Sequence, residues 1–167
     1  MNGDPLAARE AKFQELLDAY APALRRLCAA HRREPADQHD LFQEIAVALW
    51  TALPRFRGDA SERTWLYRIA HNTALTDFAK RGRKRAREVQ LVETVPPSPP
   101  NNRRQDLLDA VRRLEPIDRE LATLYLEGLT AREIGTVLGI AEGNAAVRLT
   151  RLRQRLTEML NPKEASV

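Results

Sequence analysis

Residues 88–105, EVQLVETVPPSPPNNRRQ, hold Pro96, Pro97, Pro99 and Pro100, followed at once by Asn101 and Asn102. Proline fixes φ and removes a backbone donor, so four prolines in five positions bar both a helix interior and a sheet strand there. The stretch reads as a linker. It parts the 167 residues into an N-terminal unit over 1–87 and a C-terminal unit over 106–167. Domains this small must be well patterned to bury a core. Outside the linker, apolar residues recur at three- and four-residue steps and no alternating strand pattern occurs. The expectation is an all-α chain: two small helical domains joined by a Pro-rich linker.

Three helices are expected in the N-terminal unit. The first spans about 6–31, with Phe13, Leu16, Leu17, Tyr20, Leu24, Leu27 and Cys28 on one face and a kink at Pro22. The second follows the break at 33–37, capped by Asp37 and ended by Pro54. Its inward face is Leu41, Ile45, Ala48, Leu49 and Ala52, while Asp40, Gln43, Glu44 and Val47 form a separate outward stripe. A short loop over 55–60 turns at Gly58. The third helix starts at a Ser61 cap and is expected to stop at Gly82. Leu66, Ile69, Ala70 and Thr73 should pack; Trp65, Arg68, Asn72 and Thr76 lie on one flank, and Tyr67, His71 and Phe78 on the other. Arg81, Arg83, Lys84, Arg85 and Arg87 then put five cations into seven residues. Aromatic faces beside cations are how single-stranded nucleic acid is held. A core helix with a solvated basic end is the alternative for this stretch.

The C-terminal unit should hold four helices. The first covers 105–114, and Pro116 opens the second over 117–127, with Gly128 as its stop. Thr130 and Glu133 form a capping box for the third, which Gly139 ends and behind which Ile140 can pack. The last runs over 142–160. Residues 130–156 are therefore a helix-turn-helix. Its second helix separates Leu149, Leu152, Leu156 and Leu160 from Asn144, Arg148, Arg151 and Arg155. In a recognition helix the early residues meet base edges and later cations meet phosphate. Asparagine pairs with adenine and arginine with guanine through two hydrogen bonds each, which suits Asn144 and Arg148. An ordinary amphipathic helix is the alternative, but it does not account for the capping box, glycine stop and arginine stripe occurring together.

The net charge of +4 is uneven, with cations gathered at 81–87 and 148–155, which points to a polyanionic partner. Cys28 is the only cysteine, so no internal disulfide forms, and its place in an apolar stripe makes it a buried, inert thiol. No apolar run approaches the roughly 20 residues that cross a bilayer. The N-terminal MNGDPLAARE lacks a signal-peptide pattern. A cytoplasmic protein without membrane contact is expected. His31, His39 and His71 fall on different elements, and there is no Cys/His ligand spacing, glycine-rich phosphate loop or nucleophile motif. No metal, cofactor or enzymatic activity is expected.

Taken in order, these stretches resemble the extracytoplasmic-function (group IV) sigma factors of bacterial RNA polymerase. DLFQEIAVALW over 40–50 is similar to the family's helix that docks on the polymerase clamp. RFRGDASERTWLYRIAHNTALTDFAKRGRKR over 55–85 resembles the segment that opens and reads the minus-ten element, and LTAREIGTVLGIAEGNAAVRLTRLRQRL over 129–156 resembles the minus-thirty-five reader. The resemblance implies core-polymerase binding by Asp40, Gln43, Glu44 and Trp50. It implies minus-ten contacts from Phe56, Gly58, Asp59, Ser61, Trp65, Arg68, Asn72, Arg81, Arg83 and Lys84, and minus-thirty-five contacts from Asn144, Ala145, Arg148, Arg151 and Arg155. Core RNA polymerase and promoter DNA are the implied partners, with an anti-sigma factor as a further candidate. The implied role is transcription initiation for a stress or envelope-type regulon. Four positions depart from the family pattern: His39 replaces an acid, Ala46 a large residue, Glu62 an aromatic and Ala141 a hydroxyl cap. The competing reading is a stand-alone helix-turn-helix regulator, which leaves six of the nine aromatics, all within 42–78, without a job.

Overall fold

In the computed structural model, which describes residues 4–87 and 103–161, Asp4 starts the first helix. Its carboxylate accepts from the Leu6 amide at 3.0 Å. Pro5 follows in the first turn, where its missing N–H leaves nothing unpaired. α1 runs Pro5–His31 with Pro22 in its interior. α2 runs Pro35–Ala52, so it begins ahead of Asp37, the expected cap. Pro35 supplies a φ already suited to the first turn, and Asp37 sits inside that turn, where its charge meets the positive end of the helix. The Gln38 amide donates to the Arg32 and Arg33 carbonyls at 3.0 and 3.1 Å, closing the turn before it. A single 3₁₀ turn, Leu53–Arg55, follows.

α3 runs Glu62–Arg87 and passes through Gly82, where a stop was expected. Among the described glycines only Gly58, Gly128 and Gly139 take positive φ. A helix-interior glycine costs about 1 kcal/mol; here it is flanked by lysine and arginine, good helix formers, and preceded by an Asp77–Arg81 pair one turn apart. The packed face of α3 is also turned from the expected one. Leu66, Tyr67, Ala70, His71 and Ala74 are buried, whereas Ile69 and Thr73 are half-buried. Apolar or aromatic residues on both flanks leave the buried side undecided by periodicity alone.

Leu16, Leu24, Leu27, Leu41, Ile45, Leu49 and Leu66 are essentially removed from water, each worth about 1.5–3 kcal/mol relative to exposure. Cys28 lies among them, and burial pushes its thiol up to about 12. The chain divides into two compact units, Met1–Ala74 and Leu75–Val167.

The stretch read as a linker lies outside the described residues up to 102; Arg103 already opens α4, Arg103–Arg112. α5, Pro116–Leu126, again starts at a proline. Between them, Arg119 donates to the Arg112 and Leu114 carbonyls at 2.7 and 3.1 Å, satisfying groups that the end of α4 leaves open. α6, Ala131–Leu138, has the expected capping box: the Thr130 amide donates to Glu133 Oε2 at 2.8 Å, and the Glu133 amide to Thr130 Oγ1 at 3.2 Å. It ends in left-handed Gly139, φ 70°, with the Ile140 amide reaching back to the Gly135 carbonyl at 2.9 Å. α7, Glu142–Leu160, packs on α4, α5 and α6. Leu121, Leu124, Ile134, Ala145 and Leu152 fill the space between them.

Candidate nucleic-acid interface

Asp40, Gln43 and Glu44 are exposed on one side of α2, and Val47 continues that side at 65% exposure. His39, one turn earlier, sets its Nε2 2.9 Å from the Gln43 amide nitrogen. Trp50 is only half-exposed. The Arg9 guanidinium lies over its ring at 3.8 Å, Phe13 meets it edge-on at 5.3 Å, and Arg9 also donates to its carbonyl. The indole is thus held mostly by α1, and the outward stripe consists of the residues before it.

The loop before α3 folds back on the helix. Phe56 stacks on Trp65 with ring centroids 4.8 Å apart, tilted by 42°. Gly58 makes the turn with φ 77°. Asp59 and Ser61 are exposed, but the Ser61 hydroxyl is already employed: it accepts the Thr64 amide at 3.1 Å and donates to Thr64 Oγ1 at 2.9 Å. Ser61 therefore fixes the start of α3. Glu62 reaches Lys12 Nζ at 2.6 Å and ties that start to α1. Its carboxylate, with a smaller contribution from Glu15, raises the Lys12 pKa. Arg68 and Asn72 are exposed one turn apart, following half-buried Trp65. Arg81 donates to Asp77 at 3.4 Å, while Arg83 and Lys84 extend the helix as exposed cations. Beside Phe56, a groove of about 640 Å³ is lined by Pro5, Leu6, Arg9, Lys12 and Leu53. Its walls come from distant parts of the sequence, which gave no sign of it.

On α7, Asn144, Arg151 and Arg155 are exposed and Arg148 is half-exposed. Asn144 Oδ1 accepts from Arg148 Nε at 3.3 Å, so the two residues assigned to bases are already joined. Arg155 reaches Asp118 of α5 at 3.8 Å. Ala145, expected among the reading residues, is wholly buried in the core of the unit. Helical spacing turns it about 100° from Asn144, toward Leu149 and Leu152. Val147, which the sequence reading left out, is 51% exposed instead. Ala141 precedes α7 without a side-chain cap. Among the described residues, no group of three or more His, Cys, Asp or Glu is placed to hold a metal ion, and no helix is long and apolar enough to cross a membrane.

Residues 16–84 match the family Sigma-70 region 2, and residues 104–156 match Sigma-70, region 4. The chain is 31% identical over 163 residues to the RNA polymerase sigma factor CarQ of Myxococcus xanthus, covering 93% of this chain and 92% of that one. It is 30% identical over 143 residues to the ECF RNA polymerase sigma-E factor of Escherichia coli, covering 75% of each. Among solved structures it aligns with the sigma factor RpoE in complex with the anti-sigma factor NepR from Bartonella quintana. That alignment has a TM-score of 0.75 and 25% identity, and covers 91% of this chain and 98% of that one. The two regions occur in the order of the two helical halves, and CarQ matches along nearly the whole length. The chain belongs to the extracytoplasmic-function sigma factors of bacterial RNA polymerase.

Proposed function

We propose the following division of labour for this sigma factor. A domain over 1–87 docks on core polymerase and holds the minus-ten element, a domain over 106–167 reads the minus-thirty-five element, and 88–105 links them. Docking uses Asp40, Gln43 and Glu44, with Trp50 bracing the end of the stripe. Extruded non-template bases are met by the loop with Phe56, Gly58, Asp59 and Ser61 and by Trp65, Arg68 and Asn72; Arg81, Arg83 and Lys84 neutralise phosphate. Extruding a base costs a few kcal/mol of unstacking, and an aromatic pair beside hydrogen-bonding and cationic side chains offsets it. Arg148 and Asn144 read duplex bases, and Arg151 and Arg155 hold the backbone. Tethering makes two modest grips act as one.

The observation that carries this reading is the segregation of three outward stripes on three helices: acidic on α2, aromatic and polar on α3, asparagine and arginine on α7. The protein supplies recognition and no catalytic group, acts in the cytoplasm beside the polymerase, serves a stress or envelope-type regulon, and is held inactive by an anti-sigma factor. The test combines the purified chain, core polymerase and a bubble probe melted across the minus-ten element. Retention of the probe only when both proteins are present supports the proposal, and equal retention by the chain alone would contradict it.

A further inference from the structure

We propose that Val147 reads the C5-methyl group of one thymine in the minus-thirty-five element, an inference that rests on α7 being the duplex-reading helix. On α7, positions 144, 147, 148 and 151 recur at three- and four-residue steps and so form one stripe. Val147 stands in it at 51% exposure, while the apolar residues on the opposite side, Ala145, Leu149 and Leu152, are buried. The core of the unit therefore does not use this valine. A β-branched residue at an exposed helical position is also a poor helix former, so local stability does not account for it. Asn144 lies one turn before it, Arg151 one turn after and Arg148 beside it.

The chemistry of the groove makes such a neighbour informative. Thymine alone presents a methyl group in the major groove, whereas cytosine presents an amino donor at its outer edge. The asparagine and arginines recognise purine acceptors and donors and gain nothing from that methyl group. Valine covers it, and against cytosine would leave a donor without a partner. Thr150, farther along the same edge, donates its hydroxyl to the Ala146 carbonyl at 3.1 Å. That engages the hydroxyl donor one turn beyond Val147.

The experiment uses holoenzyme assembled from the full chain and core polymerase. Promoters are recovered from a library randomised across the upstream element, and each thymine of the winning element is replaced in turn by deoxyuridine. Competition binding is measured for wild type, Val147→Ala and Arg148→Ala. The expected result is a loss of about three- to fivefold for wild type at one thymine, the value of one buried methyl group. Val147→Ala should bind the thymine promoter more weakly by a similar factor and be indifferent to deoxyuridine there. An element without thymine, a wild type unaffected by every replacement, or a Val147→Ala protein that keeps the methyl dependence would overturn the inference. The replacement is made in DNA and read with unaltered protein, so misfolding cannot produce it. If Arg148→Ala relaxes upstream preference while the methyl arm is flat, α7 reads duplex without Val147; if both are flat, the assignment of α7 falls as well.

Discussion

Gly135→Ala should destabilise the second unit by about 1–2 kcal/mol and misdirect α7. A Cβ at this position would stand 2.7 Å from the Ile140 carbonyl oxygen, 3.4 Å from the Glu142 nitrogen and 3.5 Å from the Glu142 Cα. Carbon and carbonyl oxygen ordinarily settle at about 3.3 Å or beyond, so the turn must retreat by roughly half an ångström. The obstacle is backbone and cannot rotate away. Overpacking against backbone that cannot yield falls in the upper part of the usual range, about 2–3 kcal/mol, and the better helix propensity of alanine offsets about 1 kcal/mol of it. The same segment carries the bond from the Ile140 amide to the Gly135 carbonyl, and α7 begins at Glu142, so the retreat also re-aims the reading helix. Trp50 and Trp65 both lie in the first unit, which makes tryptophan fluorescence blind to this change. Amide exchange at Leu149 and Leu152 is the suitable probe, and protection there should fall about five- to thirtyfold. Upstream duplex affinity should fall further than the stability loss alone explains. Gly82→Ala is the control: nothing lies within 4 Å of its Cβ, and the substitution should stabilise α3 by about 0.5–1 kcal/mol. Wild-type protection in Gly135→Ala, or shifts of one sign in both proteins, would refute the reasoning.

Glu44→Lys should weaken binding to core polymerase in a competition assay while leaving the thermal midpoint nearly unchanged, because Glu44 is exposed; equal competition by mutant and wild type would count against the docking stripe. Arg148→Ala should relax preference at one or two upstream positions by about 1–3 kcal/mol, whereas Arg155→Ala should weaken all sequences and flatten the salt slope. Loss of the exposed Arg155–Asp118 pair itself should change stability by no more than about 1 kcal/mol; identical behaviour of the two variants across a promoter library would show that the roles are misassigned. Asn72 is exposed, so Asn72→Ala should keep stability and core binding and lose only base preference at the minus-ten element. A fluorescent base analogue placed across that element reads this directly, and a large drop in thermal midpoint would instead mean that Asn72 is structural.

The helix starts and stops that rest on local chemistry were legible in the sequence. Thr130 and Glu133 cap each other three residues apart, and Gly128 and Gly139 take the left-handed conformation that ends a helix. Gly82 was misread because a glycine ends a helix only where the chain must also turn, and its neighbours are helix formers. The buried face of α3 and the exchange of Ala145 for Val147 depend on which neighbours cover a helix, which periodicity alone leaves open. The Lys12–Glu62 pair and the Arg9–Trp50 stack join residues 50 and 41 positions apart, beyond the reach of any local pattern. They tie Glu62 to α1 and leave Trp50 only half-exposed. The Asn144–Arg148 bond is an ordinary one-turn pairing that four-residue spacing permits but does not require.

Run-off transcription with core polymerase on genomic DNA, with every start site mapped, tests most directly that one chain carries two separate promoter grips. Wild type should give starts that share an upstream and a downstream motif at a fixed separation. Arg148→Ala should alter only the upstream motif, and Asn72→Ala only the downstream one. Starts that share no motif, or two variants that disturb the same motif, would contradict the account.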